Sequence, residues 1–161
     1  MEEQFVIFRS GAEIYGVEIA HIREIIRPLD IIPVPGMMNT VEGIINLRGE
    51  ILPVYKLANI LGITCPDQPS DKRKSRIIIL EKSEDGFGFL VDEVLEVVKV
   101  NREHIQSCLE NRLVDSNEKI VSGVLQHGGK MVICLDTREM MTASLEQKEN
   151  TKEHDENAVP I

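Results

Sequence analysis

The chain has 161 residues, a formal net charge of −9, 42% apolar residues and 4% aromatic residues. That length suits one ordinary domain or two small interlocked ones, able to bury roughly 70% of the unfolded surface. The acidic balance argues against nucleic-acid binding, which needs a basic face, because the one basic run, Lys72-Arg73-Lys74, is short and reads as a solvated loop.

No stretch is long and apolar enough to span a membrane, and the acidic start Met1-Glu2-Glu3-Gln4 does not read as a signal peptide. Cys65, Cys108 and Cys134 are odd in number and lack a Cys-x-x-Cys spacing, so a reducing cytoplasm suits them, as thiols without a role.

In chain order, Gln4 to Arg9 reads as a strand, followed by a turn at Ser10-Gly11 into Ile14-Tyr15-Gly16-Val17. Apolar spacing predicts a short helix around Glu18 to Ile22, and Ile25-Ile26 before Pro28 predicts re-entry into strand. Asp30 to Val34 is a brief extended piece before a rigid loop at Pro33, Pro35 and Gly36. Within Val41 to Leu57 two apolar runs, entered through Ile44-Ile45 and left through Ile51, Leu52 and Val54, flank the Gly-centred link Arg48-Gly49-Glu50 as a hairpin, with Pro53 expected at an edge or bulge because it cannot donate to a ladder. Leu57, Ile60 and Leu61 predict a short helix capped by Gly62, and Gly62 to Ser75 is a connector. Arg76 to Leu80 and Phe87 to Val91 form a second hairpin across Ser83-Glu84-Asp85-Gly86, and Asn101 to Lys119 is polar and irregular. Asp136 is a predicted N-cap for a helix from Thr137 to about Leu145, and Gln147 to Ile161 reads as a disordered acidic tail.

The chain repeats itself. Gly123-Val124-Leu125 to Met131-Val132-Ile133 follows the pattern of the Gly43 hairpin 80 positions on, with Gly43 falling on Gly123 and Gly49 on Gly129. Phe5 to Phe8 falls on Ile77 to Leu80 at a shift of 72, as do Tyr15-Gly16-Val17 on Phe87-Gly88-Phe89 and Ile22 to Ile26 on Val94 to Val98. The difference of eight places an insertion inside the second copy. Two ordered blocks with matched glycines predict a duplicated small β unit whose copies share apolar contacts.

Reaction chemistry finds no footing. His21, His104, His127 and His154 are scattered, so neither a zinc site nor a nucleophile–base pair is expected, and no cofactor motif is complete. The aromatic residues sit inside apolar strands and read as core rather than as a stacking platform.

The run Val34-Pro35-Gly36 … Val41-Glu42-Gly43-Ile44-Ile45-Asn46-Leu47-Arg48-Gly49-Glu50-Ile51-Leu52-Pro53-Val54 resembles the signature of the CheW family of chemotaxis coupling proteins. The likeness extends to Tyr15-Gly16-Val17, Ile22-Arg23-Glu24-Ile25, Val91-Asp92-Glu93-Val94 and Gly123-Val124-Leu125, roughly Phe5 to Ala143. It implies a mainly β fold of two SH3-like five-stranded β-barrels related by a pseudo-two-fold axis, with short helices and a C-terminal helix. The expected layout is a CheW-like domain over 1–146, with a first barrel at about 14–65, a second at about 76–136, chain ends crossing between the halves, and the tail over 147–161. It implies a cytoplasmic, non-enzymatic scaffold, without cofactor or metal, that joins chemoreceptor cytoplasmic tips to the histidine kinase CheA and meets the membrane only through receptors.

By the same resemblance Ile22, Glu24, Gly43 and Arg48 carry over to receptor binding, and an apolar groove between barrels would suit a receptor's helical hairpin. Glu24 and Arg48 are single charges in apolar stretches, so they either form an ion pair beside the groove or Arg48 is a solvated turn residue. Kinase contacts are expected around Val41 and in the loop from Gln106 to Asn111. Lys56 stands where the family commonly has Asp, whereas Asp136 keeps an acid at the matching site of the second repeat. Two alternatives are a CheV-type receptor-binding module, which normally continues into a receiver domain, and a small-molecule-binding β-barrel.

Overall fold

Ile77, Ile78, Ile79 and Leu80 are all fully buried, so the strand that carries them must be covered on both faces. The fold follows from that demand. The computed structural model describes residues 2–28, 30–35, 41–61, 72–82, 85–107, 120–140 and 142. Its strands are β1 (Glu2–Ser10), β2 (Glu13–Glu18), β3 (Ile22–Ile26), β4 (Val41–Leu47), β5 (Glu50–Lys56), β6 (Arg76–Lys82), β7 (Asp85–Val91), β8 (Glu93–Asn101), β9 (Gln106–Ser107), β10 (Val121–His127) and β11 (Lys130–Leu135). Helix α1 (Leu57–Leu61) follows β5, and a second short helix covers 137–140.

One sheet runs β8-β1-β2-β11-β10-β9 and the other β3-β6-β7-β5-β4. The two orders correspond strand for strand when the repeat is applied. β1 beside β8 matches β6 beside β3, and the parallel pair β2–β11 matches the parallel pair β7–β5. Even the short β9 on β10 has a counterpart, the isolated bridge between Ile32 and Ile44.

The buried residues repeat in the same way. Phe5, Ile7, Leu125, Val132 and Cys134 form a small core within the first sheet, and their counterparts Ile77, Ile79, Ile45, Leu52 and Val54 form one within the second. The alternate residues of the same strands, Val6, Phe8, Ile78 and Leu80, face a third, shared core with Tyr15, Tyr55, Phe87 and Phe89. There the Phe8 ring meets Phe89 from the other sheet at 5.6 Å between centroids. The hairpins β1–β2 and β6–β7 are thus apolar on both sides and occupy the middle of their sheets.

Hydrogen bonding does not follow a contiguous division at 14–65 and 76–136. Arg76–Val91 pairs into the sheet of β3, β4 and β5, while Glu2–Glu18 pairs into the sheet of β8 to β11, so whole hairpins cross between the halves rather than chain ends alone. A hairpin with two apolar faces gains more by lying between its own small core and the shared one than by staying with its sequence neighbours. Where the chain passes from β7 to β8, the Asp92 N–H donates to the Arg9 carbonyl at 3.0 Å, and Asp92 Oδ2 accepts from the Gly11 N–H at 2.7 Å.

Several local expectations change. Glu18 to Ile22 holds only one 3-10 turn, Ile19–His21, because Ile22–Ile26 is drawn into pairing with β6. Pro53 lies on a strand that is interior in sheet order, yet β5 pairs with β7 only from Val54, so the missing N–H falls just before that ladder begins. Asp136 does cap the helix over 137–140, its Oδ1 accepting from the Arg138 N–H at 2.9 Å. The Gly62 cap, Ser83-Glu84, the helix beyond 142 and the tail at 147–161 lie outside the described residues. No helix among the described residues is long and apolar enough to cross a membrane.

Candidate functional site

The β4–β5 hairpin turns through two residues, Arg48 at φ 53° and Gly49 at φ 89°, with Leu47 opposite Glu50. Both angles are left-handed, as a tight hairpin turn on twisted strands requires. Asn46 holds the turn shut by accepting from the Gly49 N–H at 2.8 Å. The corresponding turn of the second copy uses Gly128 at 59° and Gly129 at 77°. Arg48 is the only non-glycine residue with positive φ among the described residues, at a position the other copy gives to glycine.

The turn brings Arg48 to Glu24 on β3. Arg48 Nη2 donates to Glu24 Oε2 at 3.1 Å, with the arginine side chain 72% exposed and the glutamate 23% exposed. Glu24 Oε1 is buried and has no hydrogen-bond partner among the described residues. Of the two readings of Arg48, the ion pair is the one the structure contains. Ile25 and Ile51, on the same two elements, leave much of their side chains open to solvent.

A second ion pair sits beside the first. Arg23 Nη1 donates to Glu50 Oε2 at 2.7 Å, and Arg23 Nε lies 3.6 Å from Glu81 Oε2. The hydrogen bond and charge of Glu50 hold the Arg23 guanidinium further above its usual range, so it stays charged throughout. Residue-by-residue reading missed Arg23 and Glu50, although their charges in otherwise apolar strands are the same signal that singled out Glu24 and Arg48.

The other expected residues separate from this pair. Gly43 is buried at a bulge where β4 passes residues 31–32, and a Cβ there would lie 2.5 Å from the Ile32 carbonyl oxygen. Gly123 repeats the arrangement, with the Gln106 carbonyl oxygen at 2.5 Å. Both glycines serve close backbone approach. Ile22 and Val41 are half-buried against the shared core. Gln106 is exposed on β9, in the opposite sheet from Val41, and Asn111 lies outside the described residues. Lys56 pairs with Glu42 at 3.3 Å, a contact an aspartate there could not make.

A cavity of about 470 Å³ lies elsewhere, lined by Glu2, Glu3, Gln4, Glu18, Ile19, Ala20 and Lys99. None of the expected docking residues lines it. Among the described residues no cluster of three or more His, Cys, Asp or Glu is placed to hold a metal ion.

A family model for the CheW-like domain matches residues 4–145. The chain is 35% identical over 136 residues to the chemotaxis protein CheW of Thermotoga maritima, covering 84% of this chain and 85% of that one. It is 29% identical over 150 residues to CheW of Treponema pallidum, covering 91% and 88%. Among solved structures, the scaffolding protein TtCheW from Thermoanaerobacter tengcongensis superposes with a TM-score of 0.73 at 32% identity, covering 84% of this chain and 85% of that one. With the duplicated sheet order, the paired glycine bulges and the Glu24–Arg48 contact already in place, these matches agree with one another: the chain belongs to the CheW-like domain family.

Proposed function

We propose that this chain is a non-enzymatic chemotaxis scaffold that couples the cytoplasmic tips of chemoreceptors to the histidine kinase CheA. The observation that carries the reading is the Glu24–Arg48 ion pair on a tight turn whose arginine is held in a backbone conformation that favours glycine. Strain kept at a surface position is more readily explained by a partner than by stability. A receptor tip is a helical hairpin, and the polar edge of an amphipathic helix would meet the exposed Arg48 guanidinium.

Receptor contact is assigned to Glu24 and Arg48 directly, with Ile22 and Gly43 supporting the strands that carry them. Kinase contact is assigned to the neighbourhood of Val41 and to the segment beginning at Gln106 and running to Asn111. The matched strand orders and the two repeated small cores on either side of a shared one support two SH3-like barrels about a pseudo-two-fold axis, within a unit spanning 1–146. A fold with two like ends can meet a kinase domain of the same fold in a pseudo-symmetric manner. The reading places the chain in the cytoplasm, touching the membrane only through receptors, and requires no cofactor.

The test is co-elution of the chain with a receptor cytoplasmic fragment and, separately, with CheA. Binding to both, and a ternary complex when all three are mixed, is the expected result. Binding to neither overturns the proposal.

A further inference from the structure

The duplication supplies an internal comparison for the site. The carboxylate of Glu24 has its counterpart in Glu96, and each bonds the facing hairpin, Glu24 through Arg48 and Glu96 through His127 Nε2. The second bridge exists in one copy only. Where the second sheet has Arg23 and Glu50, the first has Leu95 and Lys130, which cannot pair. The copy with the extra bridge is also the copy with a strained arginine at the hairpin tip, while the copy without it has Gly128 there.

We infer that Arg23 is a positioning residue for Arg48, clamping the β4–β5 hairpin so that the Arg48 guanidinium stands over Glu24. The inference rests on the receptor-coupling reading of that pair. Glu50 follows the Arg48-Gly49 turn directly, and Glu81 lies on β6, the strand hydrogen-bonded to β3. One guanidinium therefore spans from the hairpin tip across β3 to β6, using the directional fork that an ammonium lacks. The turn closes without it through Asn46 and Gly49, so the clamp governs where the tip lies rather than whether it forms. Both bridges are partly exposed, with side-chain exposures of 28% for Arg23 and 43% for Glu50, so their contribution is to placement.

The experiment uses the full chain in two arms. In the receptor-free arm, NMR follows the Arg48 Nε resonance in Arg23→Gln and Glu50→Gln variants; the expected result is a shift toward the solvated arginine position, with the fold unchanged. In the binding arm, calorimetry against a receptor cytoplasmic fragment should show about three- to fivefold weaker binding for each variant, the scale of one partly exposed ion pair. In an Arg48→Ala background, Arg23→Gln should cost nothing further. An equal loss in that background means Arg23 acts on its own and overturns the proposal, as does an unmoved Arg48 resonance. If the wild-type chain does not bind the fragment, the coupling reading falls, and the clamp stands or falls on the receptor-free arm.

Discussion

Arg48 donates to Glu24 at 3.1 Å from a backbone at φ 53°, while its counterpart in the other half, at φ 59°, is Gly128. At this position of the turn the two copies differ by a long cationic side chain placed where no side chain is favoured. The ion pair and the backbone penalty act at the same residue and can be separated by mutation.

Reversing both charges, Glu24→Arg with Arg48→Glu, should restore more receptor binding than either single reversal retains. The coupling expected for such a partly exposed pair is about 0.5–1 kcal/mol. Titration calorimetry of the four chains measures it, and simple additivity would count against the pair.

Arg48→Gly should separate stability from function. Relief of the left-handed conformation is worth about 1–2 kcal/mol, offset by about 0.5–1 kcal/mol of added freedom in the unfolded chain. The urea midpoint should therefore hold or rise while affinity for a receptor fragment drops. A variant that lost stability and binding together would show that the turn does not carry this strain.

The glycines should sort by their surroundings. Gly43→Ala and Gly123→Ala each drive a Cβ to 2.5 Å from a carbonyl oxygen, and about 2–3 kcal/mol of destabilisation is expected from both. Gly49→Ala meets nothing within 4 Å, so only its φ of 89° is costly, about 1–2 kcal/mol. Thermal unfolding of the three variants checks the order, and a mild effect at Gly123 beside a severe one at Gly43 would contradict their equivalence.

Burial in the shared core raises the Tyr55 hydroxyl from its ordinary 10 to about 12. A raised acid contributes stability that is complete below the unfolded value and is lost as pH climbs through the folded one. Stability attributable to Tyr55 should hence decline between about pH 10 and about pH 12. Absorbance titration near the phenolate band, with Tyr55→Phe as reference, should show one ionisation delayed to that range; an ordinary titration would place the ring nearer solvent.

Much of the site was readable from local pattern. The two charges Glu24 and Arg48, isolated in apolar strands, demanded partners and found each other. The Gly43 and Gly123 match announced that one backbone solution was used twice. The Arg23–Glu50 bridge carried the same signal, charges in otherwise apolar strands, but that signal does not say which carboxylate meets which guanidinium; β3 and the hairpin decide it when they converge. The single 3-10 turn at Ile19–His21 was not readable, since helical spacing at Ile19, Ile22 and Ile26 was overruled by pairing with β6.

By itself, the order of residues determined that a β unit occurs twice, that its strands are apolar on alternate or on both faces, and where the turns fall. These are short-range matters, fixed by side-chain periodicity and by which backbone angles a residue tolerates. Which apolar face meets which was decided only in three dimensions. Ile77 and Ile79 are as greasy as Ile78 and Leu80, yet one pair closes the small core of the second sheet and the other seals the two sheets together. The hydrophobic effect has no direction, so local pattern could say that both faces must be buried, while the exchange of hairpins between the sheets settled against what.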